Sequence, residues 1–142
     1  MVQKNNISTV CIVSVDNPTN TELSEEENRI NREKFEAYLK KHKLKYYTIE
    51  GDYENEEYRY VIANITLDTC EHYLGPDMFN QESFIFGKVD NYNSGTFTYY
   101  EQNNRGKFEA NDELKEISTR IAEESFFFIL MHECLFLHKR RK

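Results

Sequence analysis

An apolar run near the start of the chain, at residues 8–15, reads Ser-Thr-Val-Cys-Ile-Val-Ser-Val. It is short and rich in β-branched side chains, a pattern typical of a strand buried in a sheet. Asp16, Asn17 and Pro18 follow it directly. Because proline has no N–H to donate to a neighbouring strand, and because Asn and Asp favour turns, the strand is predicted to end there. We therefore expect a fold built around a buried strand.

A helix is predicted over residues 24–42. Ser24 and Glu27 have the spacing of a capping box, and the acidic first turn suits the positive end of the helix dipole. The apolar stripe of this helix consists of Ile30, Phe35, Tyr38 and Leu39. Lysines at the end of the helix, where cations are favoured, complete the pattern.

The rest of the chain alternates in the same way. Further strands are predicted at residues 45–50, 58–65, 83–89 and 96–101, a short helix at 67–74, a polar loop at 102–106 and a last helix at 112–138. The order β-α-β-β-α-β-β-α predicts an α+β fold, a small, mostly antiparallel or mixed sheet of about five strands with helices packed on one face. The second and third strands, and the fourth and fifth, are expected to be antiparallel neighbours because short turns join them.

Composition supports a single domain over residues 1–142, because 39% hydrophobic and 30% charged residues are typical of a globular chain. The formal net charge of −7 repels a phosphate backbone, so an extended nucleic acid is not expected as a partner. Residues 1–6 are polar and lack the apolar centre of a signal peptide, which predicts a cytoplasmic location. The three cysteines are far apart and are expected to be buried thiols.

The last predicted helix is apolar on almost all sides between Phe126 and Leu137. This run is about 12 residues long and shorter than the ~20 needed to span a bilayer, so a membrane span is not expected. A helix that is apolar all round must be covered all round, and one copy of so small a domain offers little surface for that. We therefore expect a homodimer through this helix, since two-fold dimers are the commonest assembly. Another protein partner, or attachment to a membrane surface through the basic end at 139–142, is the alternative.

Two polar groups near the first strand are candidate binding residues. Asp16 could hold a metal ion or act as a base, and Asn17 could orient a ligand, because polar groups beyond a strand often line a crevice. A turn that satisfies its own backbone explains the same residues. Asn28 and Arg32 share one side of the first helix, where Arg32 could form a fork to a carboxylate or a phosphate. A solvated helix face is the alternative, although Asn is a modest helix former and its presence favours hydrogen bonding back to the turn.

Other clusters point less clearly to chemistry. An acidic group at residues 50–57 could bind a hard cation, but it lacks the spacing of a calcium loop and is better explained as a solvated loop. His132 and Cys134 are two residues apart on a helix and cannot chelate one ion together. We find neither a glycine-rich phosphate loop nor a nucleophile elbow in the sequence. The residues therefore identify no cofactor and no reaction.

The order of several features resembles a known family. An apolar strand leads to Asn17-Pro18, a helix starts with Leu-Ser-Glu-Glu-Glu-Asn-Arg at 23–29, a strand ends near Gly51, and Phe-Asn-Gln-Glu-Ser at 79–83 precedes another apolar strand. This order resembles the uncharacterised bacterial and phage proteins grouped as domain-of-unknown-function family 3293. The resemblance covers about residues 9–100 and leaves out 102–142, and Asn80 stands where the family tends to have glycine.

That resemblance brings no established activity. It implies a shared polar cluster made of Asn17, Asn28, Arg32, Glu57 and Gln81. The first functional hypothesis is a small accessory or interaction protein of bacteriophage or bacterial origin that forms a homodimer. The alternative is a metal-assisted enzyme acting on a nucleotide or nucleic acid, or a nucleotide binder, in which Arg32 holds a phosphate. The candidate metal ligands in that case are Asp16, Glu57 and Glu82.

Overall fold

The computed structural model describes residues 9–19, 21–49, 58–89 and 95–114. Its elements are β1 (Thr9–Val13), α1 (Glu25–Lys41), β2 (Tyr46–Ile49), β3 (Arg59–Ala63), α2 (Leu67–Leu74), β4 (Ser83–Val89), β5 (Gly95–Gln102), β6 (Phe108–Asn111) and a 3-10 turn (Asp112–Leu114). The α+β class predicted from the sequence is confirmed. No helix within these four ranges is both long enough and apolar enough to cross a membrane.

The strands form one six-stranded sheet in the order β2-β3-β1-β4-β5-β6, and each pair of neighbours is antiparallel. β1 lies in the middle, where Ile12 is opposite Val61 of β3 and Ile85 of β4. The predicted pairing of the second strand with the third, and of the fourth with the fifth, is confirmed. The apolar run that opens the chain is thus the centre of the sheet, which is why it contains so few polar residues.

The prediction of five strands was wrong, because a sixth strand lies at the edge of the sheet. β6 pairs with β5, with Ala110 opposite Tyr100, and the Phe108 ring packs 4.8 Å from that of Phe84. Its sequence, Phe-Glu-Ala-Asn, has a low strand propensity, so tertiary pairing and one aromatic contact specify it instead. The predicted last helix does not begin directly at Asp112, where a 3-10 turn follows β6. The remainder of that helix lies outside the described residues.

Local signals at the helix ends were read correctly. The Ser24 hydroxyl accepts from the Glu27 N–H, and the Glu27 carboxylate accepts from the Ser24 N–H, so both halves of the capping box are present. The apolar stripe of α1 differs from the predicted one at its start, since Ile30 is 39% exposed while Asn28 is buried. Asn28 is seven residues before Phe35 and therefore lies on the same helix face, whereas Ile30 does not.

The two faces of the sheet have separate apolar clusters. On the first face, α1 and α2 pack against the sheet, and the Phe35 ring lies 5.1 Å from that of Tyr60. The second face is the set Val10, Ile12, Val61, Ile85 and Phe97, flanked by Tyr47, Ile49 and Tyr99. Alternation along the strands separates the two sets, because successive side chains point to opposite sides.

Candidate functional site

A partly buried ion pair joins the turn after β1 to helix α1. The Arg32 Nε donates to Asp16 Oδ1 at 2.7 Å, and its Nη2 donates to Asp16 Oδ2. The two side chains are 17% and 9% exposed, and the Arg32 guanidinium also lies 4.5 Å above the Tyr58 ring. Hydrogen bonding to Asp16 raises the pKa of Arg32, so the guanidinium stays charged. Arg32 therefore forms the fork expected of it, and its partner is a carboxylate of the same chain.

A second contact joins the same turn to the same helix. The backbone N–H of Asn17 donates to Asn28 Oδ1 at 2.9 Å, and Asn28 Nδ2 donates back to Asn17 Oδ1 at 3.1 Å. The Leu23 N–H also donates to Asn17 Oδ1, at 2.9 Å. The predicted hydrogen bonding between the helix face and the turn is confirmed. We call Asp16, Asn17, Asn28 and Arg32 the turn clasp.

Gln81 lies beside the turn clasp on the loop that precedes β4. It is 5% exposed, and its Nε2 donates to the Phe79 carbonyl at 3.2 Å. The neighbouring Asn80 has a φ of 48°, and its carbonyl accepts from the Thr19 N–H at 2.8 Å. This contact ties the loop before β4 to the turn after β1, and so places Gln81 close to Asn17.

A cavity of about 220 Å³ opens where these two segments meet. Its polar lining includes Ser14, Asp16, Asn17, Arg59, Gln81 and Glu82, and its apolar lining includes Ile12 and Ile85. Val13 and Phe84 of the first face also line the cavity, which therefore lies where β1 ends and β4 begins. Tyr99 and Ser83, also in the lining, are joined by a 2.8 Å hydrogen bond between hydroxyls.

The structure brings together most of the polar cluster that the resemblance implies. Asn17 and Gln81 line the cavity, and Asn28 and Arg32 lie behind it and hold the turn. Glu57 lies outside the described residues, as do the acidic group at 50–57 and the histidines of the last predicted helix.

Sequence reasoning missed several cavity residues, namely Ser14, Arg59, Ser83 and Tyr99. Three of them come from strands β3, β4 and β5. The pairing of β4 with β5 was predicted, but nothing in the sequence indicated that β1 lies between β3 and β4, and that order decides where Arg59 lies relative to Ser83 and Tyr99.

Asp16 and Glu82 are the two proposed metal ligands that lie within the described residues, and they form no metal-binding group there. Both carboxylate oxygens of Asp16 accept hydrogen bonds from Arg32, which balances the charge of that carboxylate. Glu82 is exposed at the cavity rim. Within the part of the chain that the structure describes, no three His, Cys, Asp or Glu side chains are placed to hold a metal ion.

Known proteins do not supply an assignment beyond this geometry. The resemblance to domain-of-unknown-function family 3293 stays a prediction, because no comparison with known proteins tests it. Family models, curated proteins and solved structures were each compared with this chain, and none of them matches it.

Proposed function

We propose that this chain is a small, non-enzymatic interaction protein that acts as a homodimer in the cytoplasm, an accessory factor of the kind that bacteria and their phages produce. The observation that carries this proposal is how the turn clasp uses its polar groups. A catalytic carboxylate or a phosphate-binding guanidinium needs an open side toward its substrate. Asp16 and Arg32 are instead directed at each other, and the amides of Asn17 and Asn28 are paired in the same way.

The dimer part of the proposal is supported by the apolar segment from Phe126 to Leu137. A helix that is apolar on all sides must be covered on all sides, and one copy of so small a domain offers little surface for that. A second copy of the chain is the simplest partner, because a two-fold interface uses the same surface twice.

Size-exclusion chromatography with light scattering on the full chain tests the dimer. The expected mass at micromolar concentration is twice that of one chain. Phe128→Lys is expected to shift the population toward one chain, while the matched control Ile30→Lys, at an exposed apolar position of α1, leaves it unchanged. A wild-type protein with the mass of a single chain at every concentration would reject the proposal.

The cavity favours a second candidate function, the binding of a small polar molecule. Its volume of about 220 Å³ is below the ~300–1,000 Å³ of most ligand sites, which suits a fragment smaller than a nucleotide. The ion pair between Asp16 and Arg32 supports the binding of a small molecule better than a metal-assisted reaction, because both oxygens of the Asp16 carboxylate already accept from Arg32.

Thermal-shift measurements with magnesium, manganese, a nucleotide panel and smaller polar molecules such as inorganic phosphate and ribose separate these functions. The interaction protein is expected to show no saturable shift with any of them. A saturable shift that is lost in Gln81→Ala would favour the ligand-binding function instead.

A further inference from the structure

The second face of the sheet is buried. Every described member of its apolar cluster belongs to a strand, and none belongs to a helix. Val10 and Val61 are 0% exposed, and Phe97 is 2% exposed. Ile12 and Ile85, at 4% and 6%, complete the same pattern. These values are as low as those of the first face, where two helices cover the sheet.

Neighbouring side chains on the same face cannot produce this burial. Strand side chains stand side by side and roughly perpendicular to the sheet, so their tips face away from it. Hiding the tips requires a second layer, packed about 10 Å from the sheet. α1 and α2 both contribute to the cluster on the first face, and neither contributes to the cluster on the second, so neither described helix supplies this layer.

The sequence outside the described ranges narrows the choice to one segment. Residues 1–8, 50–57 and 90–94 are mainly polar or acidic. Residues 115–142 contain the long apolar run that reads Phe-Phe-Phe-Ile-Leu-Met-His-Glu-Cys-Leu-Phe-Leu. No other undescribed segment carries enough apolar side chains to cover five buried ones.

Length and starting point agree with this choice. The segment follows the 3-10 turn, which contacts β5 close to one edge of the sheet. As a helix, residues 126–137 would be ~18 Å long at a rise of ~1.5 Å per residue. The second face extends over β3, β1, β4 and β5, which are three strand spacings, or ~14 Å, across. The apolar run can thus cover the whole face.

We propose that residues 115–142 pack on the second face of their own subunit, with the run from Phe126 to Leu137 against Ile12, Val61 and Phe97. The subunit then has three layers, with helices on both sides of the sheet. This packing deepens the proposed function, and its consequence for the dimer rests on that proposed function. One side of the apolar helix is covered by its own sheet, and the opposite side is available to a second copy.

Methyl-to-ring NOE spectroscopy on the full chain tests this packing. Isoleucine and valine methyl groups carry the label, and the phenylalanine rings are protonated. Methyl groups of Ile12 and Val61 are expected to show NOEs to phenylalanine rings. Each NOE is assigned to one ring by its loss in Phe126→Leu, Phe127→Leu or Phe128→Leu. Methyl groups of Val13 and Ile62, on the first face, serve as the control and keep their NOEs.

A sample that mixes labelled and unlabelled chains distinguishes the two copies. NOEs within one chain support the proposal. If light scattering also finds the protein to be a monomer, these NOEs still support packing on the own subunit, and only the dimer proposal fails. NOEs found solely between copies overturn packing on the own subunit and leave the dimer standing. Wild-type Ile12 and Val61 methyl groups without any NOE to the three rings overturn the proposal, so it does not depend on whether a variant folds.

Discussion

At the scale of single residues, asparagines fix the loops around the cavity. Asn17 and Asn80 both have a positive φ, 44° and 48°, a region that few residues other than glycine adopt readily. Asn tolerates it, and its side chain adds hydrogen bonds that glycine lacks.

Substituting Arg32 should lower the free energy of unfolding far more than substituting an exposed arginine on the same helix. Arg32→Met leaves the buried Asp16 carboxylate unpaired, and we expect the free energy of unfolding to fall by about 3 kcal/mol. Arg29 also pairs with two glutamates, but its side chain is 51% exposed. Arg29→Met should therefore change the free energy of unfolding far less than Arg32→Met does. Urea unfolding measures both, and equal losses would contradict a buried clasp.

Asn28 should contribute stability through its two hydrogen bonds to Asn17. Asn28→Ala is expected to lower the free energy of unfolding by about 1–3 kcal/mol, because it leaves polar groups of the turn without partners. Asn31→Ala, at a half-buried position of the same helix, is the control and should change little. Urea unfolding decides the matter, and a neutral Asn28→Ala variant would show that the clasp adds no stability.

At the scale of elements, one carboxylate joins α1 to two strands. Glu36 Oε1 accepts from the Tyr46 hydroxyl at 3.0 Å, and Oε2 accepts from the Tyr60 hydroxyl at 2.9 Å. Burial, and then the hydrogen bond to Glu36, raises the pKa of Tyr46 from 10.0 to about 12. The same causes raise the pKa of Tyr60. Both hydroxyls thus keep their protons in the folded state at a pH where unfolded tyrosines lose them.

This predicts a loss of stability in alkaline solution. Below pH 10 both states hold the Tyr46 proton, and the contribution is fully present. As the pH rises from 10 toward about 12, only the unfolded state releases the proton, so the free energy of unfolding falls. Urea unfolding across that range should show a smaller fall for Tyr46→Phe than for the wild type. Parallel slopes in the two proteins would contradict the assignment.

Gly87 on β4 allows a close approach of β5 on the second face. A Cβ added there would lie 2.6 Å from the Thr96 carbonyl oxygen and would also meet the Phe97 ring. Because the carbonyl is backbone and cannot rotate away, Gly87→Ala is expected to lower the free energy of unfolding by about 1–3 kcal/mol. Thermal unfolding measures the loss, and Phe97→Leu in the same chain should recover only part of it. A neutral Gly87→Ala variant would show that β4 and β5 can separate at little cost.

At the scale of the whole molecule, the buried thiols report on global opening. Cys11 on β1 and Cys70 on α2 are 0% and 1% exposed, and burial raises the pKa of the Cys11 thiol well above its usual value. Both properties oppose reaction with alkylating reagents, since the thiolate is the reactive form. The expectation of buried thiols is confirmed for these two. Cys134 lies outside the described residues.

Thiol labelling should therefore follow unfolding of the whole domain. In a Cys134→Ser variant, Cys11 and Cys70 are expected to react slowly, at a rate that rises with urea in parallel with unfolding. Ala37→Cys, at an exposed position of α1, should label quickly and serves as the control. Fast labelling of Cys11 in the absence of urea would contradict a continuous core across the first face.

The sequence alone determined the elements whose signals are local. The apolar run of β1 and the capping box at Ser24 depend on residues within a few positions of one another, so they could be predicted without knowledge of the fold. The α+β class followed from their order. Asn28 and Arg32 were identified for a similar reason, because their helix face is set by spacing alone.

Only the tertiary structure decided which elements are neighbours. β6 has a low strand propensity and exists because β5 offers it a backbone edge, and the cavity combines residues from strands that are distant in sequence. The pairing of Arg32 with Asp16, rather than with a phosphate, likewise depends on where α1 crosses the end of β1. Local patterns fix the conformation of a segment, whereas long-range packing selects its partners, and a site made from several segments is a result of that packing.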